Sequence, residues 1–267
     1  MGYAEELVAD IGHKFLSRVM RKGSIYSVEA SGLHYRDLNT LLRALANNGA
    51  KKIEVHNIYG QRYIGTGFDQ KIIVELFGTP GNDLGAFMKG PKIFVHGNAQ
   101  DCCGNTMDGG LIVVHGRVGD IAGYSMRDGK LFVRDDVGYR AGIHMKEYQN
   151  KRPYLVVGGT AGDFLGEYMA GGVILILGLN VGEEKKHQAR FIGTGMHGGV
   201  IYMRGKVNHL GKEAEISDVN EEDMCLINDL TCDFCKHFGF DFENIMKDNF
   251  KKITPLSQRP YGNLYAY

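Results

Sequence analysis

Gly193-Thr-Gly-Met-His-Gly198 has the GxGxxG spacing that, between a strand and a helix, lets backbone amides and a helix N-terminus hold a dinucleotide pyrophosphate. Here the glycines run into Gly199-Val-Ile-Tyr-Met203, which is strand chemistry, so no nucleotide site is expected. Cys232-Asp-Phe-Cys235, with His237 nearby and Cys225 upstream, holds the ligand types of a metal knuckle. A zinc ribbon needs a second cysteine pair, and cysteines three apart on a helix pack into cores more often than they bind ions. No metal is therefore expected, and Cys232, Cys235 and His237 remain the candidates to test. His96 and His115 fall in one column of a repeat described below, which continues as Arg134, Gly158, Leu177 and Arg204, so a surface ladder is expected there. Asp83, Asp101, Asp120 and Asp163 lie in turn-rich segments, where aspartate commonly bonds its own backbone. No paired carboxylates with a basic partner and no nucleophile with a base stand out, so no catalytic residue is expected.

The elements that would position these residues come from a repeat. Of 267 residues, 38 are glycine, and the chain falls into lines of nineteen: GTPGNDLGAFMKGPKIFVH, GNAQDCCGNTMDGGLIVVH and GRVGDIAGYSMRDGKLFVR. A line with a five-residue insertion follows from Asp135, then a regular one from Gly159, then one from Gly178 with about eight extra residues, while YIGTGFDQKIIVELF precedes them as a partial copy. One column reads Gly85, Gly104, Gly123, Gly142, Gly166, Gly193, and three residues on another reads Met88, Met107, Met126, Met145, Met169, Met196. Each line ends in a β-rich triplet: IFV, IVV, LFV, LVV, ILI, IYM. Short strands and turns at a fixed period predict an all-β core, a single-stranded parallel β-helix of about seven rungs. Equivalent residues then stack at roughly 4.8 Å, so a residue type that suits one rung suits all.

All three positions of each triplet are apolar, although strand side chains alternate between faces. With Ile93, Ile112, Leu131, Leu155, Ile174 and Ile201 inward, Phe94, Val113, Phe132, Val156, Leu175 and Tyr202 form an outward ladder that must be covered, by the chain's own flanks or by a partner. The flanks, 1–52 and 206–267 around a solenoid domain at 53–205, read as helical. EELVADIGHKFLSRVM and YRDLNTLLRALANNG carry helix-spaced apolar residues, KKIEVHNI is a strand, EEDMCLINDLTCDFCKHFG is a helix ending at Gly239, and DFENIMKDNF is a shorter one.

Lysine plus arginine equal aspartate plus glutamate at 31 each, with no basic stripe, so nucleic acid is not an expected partner. The start lacks a signal-peptide pattern and no run reaches the ~18 apolar residues of a membrane span, so a cytoplasmic location is expected. Five cysteines, two of them adjacent, fit reduced thiols better than a disulfide framework.

GTPGNDLGAF, GNTMDGGLIVVHG, GGTAGDFLGEYMAGGVILILG and GTGMHGGVIYMRG resemble the carboxy-terminal GXGXG domain of the glutamate synthase large subunit, a right-handed β-helix, over roughly Ile53 to Gly205. The solenoid component of formylmethanofuran dehydrogenase is similar. The resemblance implies a stand-alone version of that domain: a non-catalytic scaffold of a glutamate synthase-like oxidoreductase complex in nitrogen metabolism. It binds no cofactor itself, and its partners are glutamine amidotransferase and FMN-binding synthase subunits, carrying the FMN and iron–sulfur cluster, or further copies of itself. The alternatives are a scaffold like the solenoid component of formylmethanofuran dehydrogenase and an autonomous metal- or protein-binding module.

Overall fold

The computed structural model describes residues 13–182 and 187–257. Nine strands run parallel, each beside the next in sequence: β2 (Ile25–Glu29), β3 (Lys52–Tyr59), β4 (Ile73–Thr79), β5 (Lys92–His96), β6 (Asp108–Val114), β7 (Asp128–Val133), β8 (Tyr154–Val157), β9 (Ala170–Ile176) and β10 (Gly198–Arg204). This is the expected β-solenoid, with one strand per turn. The sheet is extended antiparallel at both ends, by β1 (Val19–Lys22) beside β2 and by β12 (Phe250–Pro255) then β11 (Ala214–Asp218) beyond β10.

Strand register sets Ile93, Ile112, Leu131, Leu155, Ile174 and Ile201 side by side, all fully buried. The methionine column faces them across the interior, at 2 % exposure or less in every rung. Burying each methionine contributes about 1.5–3 kcal/mol before chain entropy is subtracted. An unbranched thioether suits a column whose neighbours vary from rung to rung.

The glycine column forms the corner of each rung. Gly85, Gly104, Gly123, Gly142, Gly166 and Gly193 all have φ between 66° and 74°, and Gly65 adds a seventh corner at 72°, with Phe68 in the methionine position. Seven corners bound six full turns. At Gly142 the requirement is double: φ is 71°, and a Cβ would run into the Ile174 side chain and stand 3.1 Å from the Met145 sulfur. The five extra residues of the fourth line leave the wall as a small loop closed by a Tyr148–Lys151 bridge, so the register on either side is unaffected.

The flanks close the stack. Helix α1 (Tyr35–Asn47) turns Leu38, Leu41, Leu42 and Leu45 into the core that continues through Tyr26, Val28, Ile53 and Val55. Helix α2 (Glu221–Phe238) starts with a capping box between Asn220 and Asp223 and stops at Gly239 with φ 75°. Its stripe Ile227, Leu230, Phe234 lies on Val113, Phe132, Val156, Leu175 and Tyr202. The outward apolar ladder is thus covered by the chain itself. Asp223 locks this in place: Tyr202 Oη donates to it at 2.5 Å, and Lys252 Nζ lies 2.8 Å away. Burial raises the Asp223 pKa, but hydrogen bonds from the Asn220 amide, Lys252 and Tyr202 outweigh that and hold it below the usual carboxylate range.

Two expected helices differ. In EELVADIGHKFLSRVM, residues 1–12 lie outside the described ones, His13–Arg18 is a 3-10 turn, and Val19–Lys22 is strand β1. The segment reaches the sheet edge, where Val19 pairs with Val28, and backbone pairing there outweighs the helical spacing of its apolar residues. In DFENIMKDNF only α3 (Phe242–Ile245) is α-helical, and the segment ends by entering β12 at Phe250.

Candidate interaction surface

The thiols and imidazole of the C-terminal helix do not assemble into a site. Cys225 and Cys232 are exposed on α2 and Cys235 is half-buried. The His237 ring packs near Phe132 at 5.1 Å and Phe94 at 6.3 Å, and burial holds its pKa below the usual imidazole range. Among the described residues no three His, Cys, Asp or Glu side chains are grouped so as to hold a metal. Burial also pushes the Cys235 thiol up, and pushes the fully buried Cys103 up to about 12. Cys102 is raised by burial and then by the charges of Asp83, Asp101 and Asp120. These environments oppose the thiolate that nucleophilic or metal chemistry needs.

Gly193–Gly198 is the last corner of the stack and leads into β10, as its composition suggests. The Gly195 amide, which a phosphate would need, instead donates to Glu213 Oε2 at 2.9 Å. A carboxylate of the chain holds the anion position.

The turn aspartates are structural, although not through their own backbone as expected. Asp101 accepts from the Asp120 amide, Asp120 from the Tyr139 amide and Asp136 from the Thr160 amide, each at 2.8 Å, and Asp163 accepts from the Arg190 amide at 2.9 Å. Each reaches the next rung. The rise between rungs brings the neighbouring amide within range of a short side chain, and the side chains of Asp101 and Asp120 fill the space where Gly119 and Gly138 lack a Cβ. Asp83 is different, accepting from Asn105 Nδ2 at 2.8 Å.

His96 and His115 do stack, with centroids 5.4 Å apart, in a longer ladder of the sheet's outer face. It runs from His56 to Phe77 (4.7 Å), to His96 (4.5 Å), to His115, and ends edge-on against Phe238 of α2. Glu75 Oε2 lies 2.5 Å from His96 Nε2. At its start the ladder borders a groove of about 730 Å³ lined by Met20, Glu29, His56, Asn57, Tyr59 and Phe77. A β-bulge between Val55 and Ile58, with Asn57 at φ 58°, turns the Asn57 side chain outward, and its Nδ2 donates to Glu29 Oε2 at 2.9 Å. His56 and Phe77 were not singled out from sequence. The signal is their shared position one residue past the paired Val55 of β3 and Leu76 of β4, masked by the change of residue type.

The corners hold a second feature that composition hides. Two residues before each corner glycine stand Tyr63, Asp83, Cys102, Ile121, Arg140, Phe164 and Phe191, all with φ between 55° and 63°. Two residues after stand Gly67, Phe87, Thr106, Ser125, His144, Tyr168 and Gly195, with φ between 49° and 67°. Three left-handed residues alternate in every corner, and the alternation has a function in hydrogen bonding. The Gly142 amide donates back to Ala122, whereas the Arg140 and His144 amides donate forward to Asp163 and Glu167. Only the middle residue faces the interior and must be glycine. The outer two project from the protein and accept side chains at a cost of about 1–2 kcal/mol each in backbone strain.

Over the last three rungs four of these six outward residues carry aromatic rings. Phe164 stacks on Phe191 at 4.9 Å, the Arg140 guanidinium lies 5.5 Å over Phe164, and His144 stacks on Tyr168 at 5.4 Å. Phe191 is 48 % and Tyr168 47 % exposed, with Tyr139 beside them at 56 %. This edge is a solvent-facing aromatic strip of the kind that can recognise another surface.

Such an arrangement defines a β-solenoid whose rungs turn on an alternating left-handed corner. The GXGXG motif family matches residues 43–256, and the chain belongs to that family. It is 50 % identical over 251 residues to the uncharacterized protein MJ1350 of Methanocaldococcus jannaschii, covering 90 % of this chain and 95 % of that one. No helix among the described residues is long and apolar enough to cross a membrane.

Proposed function

We propose that this chain is a non-catalytic scaffold subunit of a glutamate synthase-type oxidoreductase complex, holding a glutamine amidotransferase and an FMN-binding synthase subunit in fixed relation. The FMN and the iron–sulfur cluster belong to those partners, and this chain binds neither. One observation carries the reading: the carboxylates and amides of the solenoid wall are engaged in bonds between rungs, while the corner leaves an aromatic strip facing solvent. Membership of the GXGXG family supports the glutamate synthase connection.

The test is affinity purification of the tagged full chain from its native source. Amidotransferase and FMN-containing proteins are expected to co-elute, and Phe191→Asp with Tyr168→Asp is expected to release at least one of them. Glutaminase turnover or flavin absorbance in the purified chain alone would refute the proposal.

A further inference from the structure

The twelve-stranded sheet ends at β1 on one side and β11 on the other, and among the described residues neither has a strand on its outer side. A free edge offers backbone donors and acceptors to any strand that reaches it. These two edges carry opposite charge. β1 is Val19-Met-Arg-Lys22, with two cations and no acid, whereas β11 is Ala214-Glu-Ile-Ser-Asp218, with two acids and no cation. Asp218 is bonded to Lys251 of β12 at 2.6 Å. Lys22 and Glu215 are both exposed and appear in no ion pair among the described residues.

We propose that β11 of one copy pairs with β1 of another, so that the sheet continues head to tail from molecule to molecule. Topology supports the match. β1 runs opposite to the nine parallel strands and β11 runs with them, so two copies in the same orientation meet through an antiparallel pair, the more stable kind. The faces agree as well. Lys22 and Met20 lie opposite Ile25 and Ser27 on the outer face, and Glu215 and Ser217 lie opposite Thr254 and Lys252 on the same face. A register pairing Lys22 with Glu215 therefore pairs Met20 with Ser217, and on the other face Arg21 with Ile216. It covers Met20 and Ile216, which are 73 % and 43 % exposed.

Charged edges ordinarily keep sheets apart, and here they do so selectively. Two β1 edges repel, two β11 edges repel, and only the unlike pair attracts. The contact is heterologous, so it grows chains rather than closed dimers unless a ring forms. It uses neither the aromatic corner nor α2 and is independent of which other subunits bind.

Sedimentation of the full chain from about 1 to about 500 μM, a range suited to an interface well below standard size, is expected to show mass rising past the dimer. Lys22→Glu alone and Glu215→Lys alone are each expected to weaken association about tenfold or more, because like charges then meet at every junction. An equimolar mixture of the two variants is expected to regain it, since each mixed junction sets a carboxylate opposite an ammonium. Circular dichroism is expected to show that both variants fold. A monomer at every concentration, association that both single variants retain, or a mixture that does not recover would each overturn the proposal.

Discussion

One column of outward side chains crosses the whole sheet, and it changes character partway. From β2 it reads Ser27, Glu54, Glu75, and from β5 onward Phe94, Val113, Phe132, Val156, Leu175, Tyr202. The first part faces solvent and manages its adjacent glutamates with Lys52, whose Nζ is 2.8 Å from Glu54 and 3.3 Å from Glu75, and with His96. The second part, from Val113 on, lies under α2. The inward column differs little between the halves, with Ile53 and Val74 as buried as Ile174 and Ile201. The solenoid therefore depends on its interior, and the outward column decides only where the tail docks.

The interior is where the largest effect is expected. Met126→Lys places an amine at a position with 0 % exposure, common to the logic of both halves, at a cost of several kcal/mol. The cooperative thermal transition should be lost, and a soluble variant that melts cooperatively would contradict the ladder assignment. Next comes the contrast between the halves. Phe234→Ala removes the ring under which the covered column packs and should cost about 3–5 kcal/mol in a denaturant titration, with new binding of a hydrophobic dye. Glu75→Ala, in the open half, should cost under about 1 kcal/mol. Equal effects would erase the distinction.

A smaller effect lies at the pin that holds the two layers together. Because the folded-state pKa of Asp223 is depressed, its contribution is present above the unfolded value, about 3.9, and is lost as pH falls through the folded value. Between about pH 5 and pH 2 the native chain should lose stability more steeply than Asp223→Asn, which is already weakened at neutral pH. Melting curves at stepped pH would show the two converging in acid. The smallest change is expected for Cys232→Ser, within about 0.5 kcal/mol and with unchanged zinc and iron content, since the thiol is exposed and joins no donor cluster among the described residues.

The solenoid was legible because a ladder writes the same residue again and again: Met88 to Met196 and Gly85 to Gly193 mark their geometry by repetition. The covering of Phe132 and Tyr202 was legible as a need, and α2 as a helix that could meet it. Elements without repetition were less so. β12, with only Phe250 and Ile253 buried, and β1, with no buried position, carry little alternation, and both form because an existing sheet edge supplies the partner. The outward corner columns left no trace in composition, because Tyr63, Asp83, Cys102 and Ile121 share a backbone conformation and nothing else. The same holds for the aromatic strip, whose members become neighbours only once the rungs are stacked.

The left-handed corner separates what the fold requires from what it permits. Each rung fixes one glycine and leaves two flanking sites that the backbone holds still while indifferent to their identity. Fourteen such sites stand in two rows, neighbours within a row a rung's rise apart, and most carry side chains that point away from the core; Asp83, bonded to Asn105, and Gly195, packed against Tyr168, are the constrained ones. A lineage that keeps the wall can rewrite its recognition surface one rung at a time, and two homologues with the same interior can have unrelated partners.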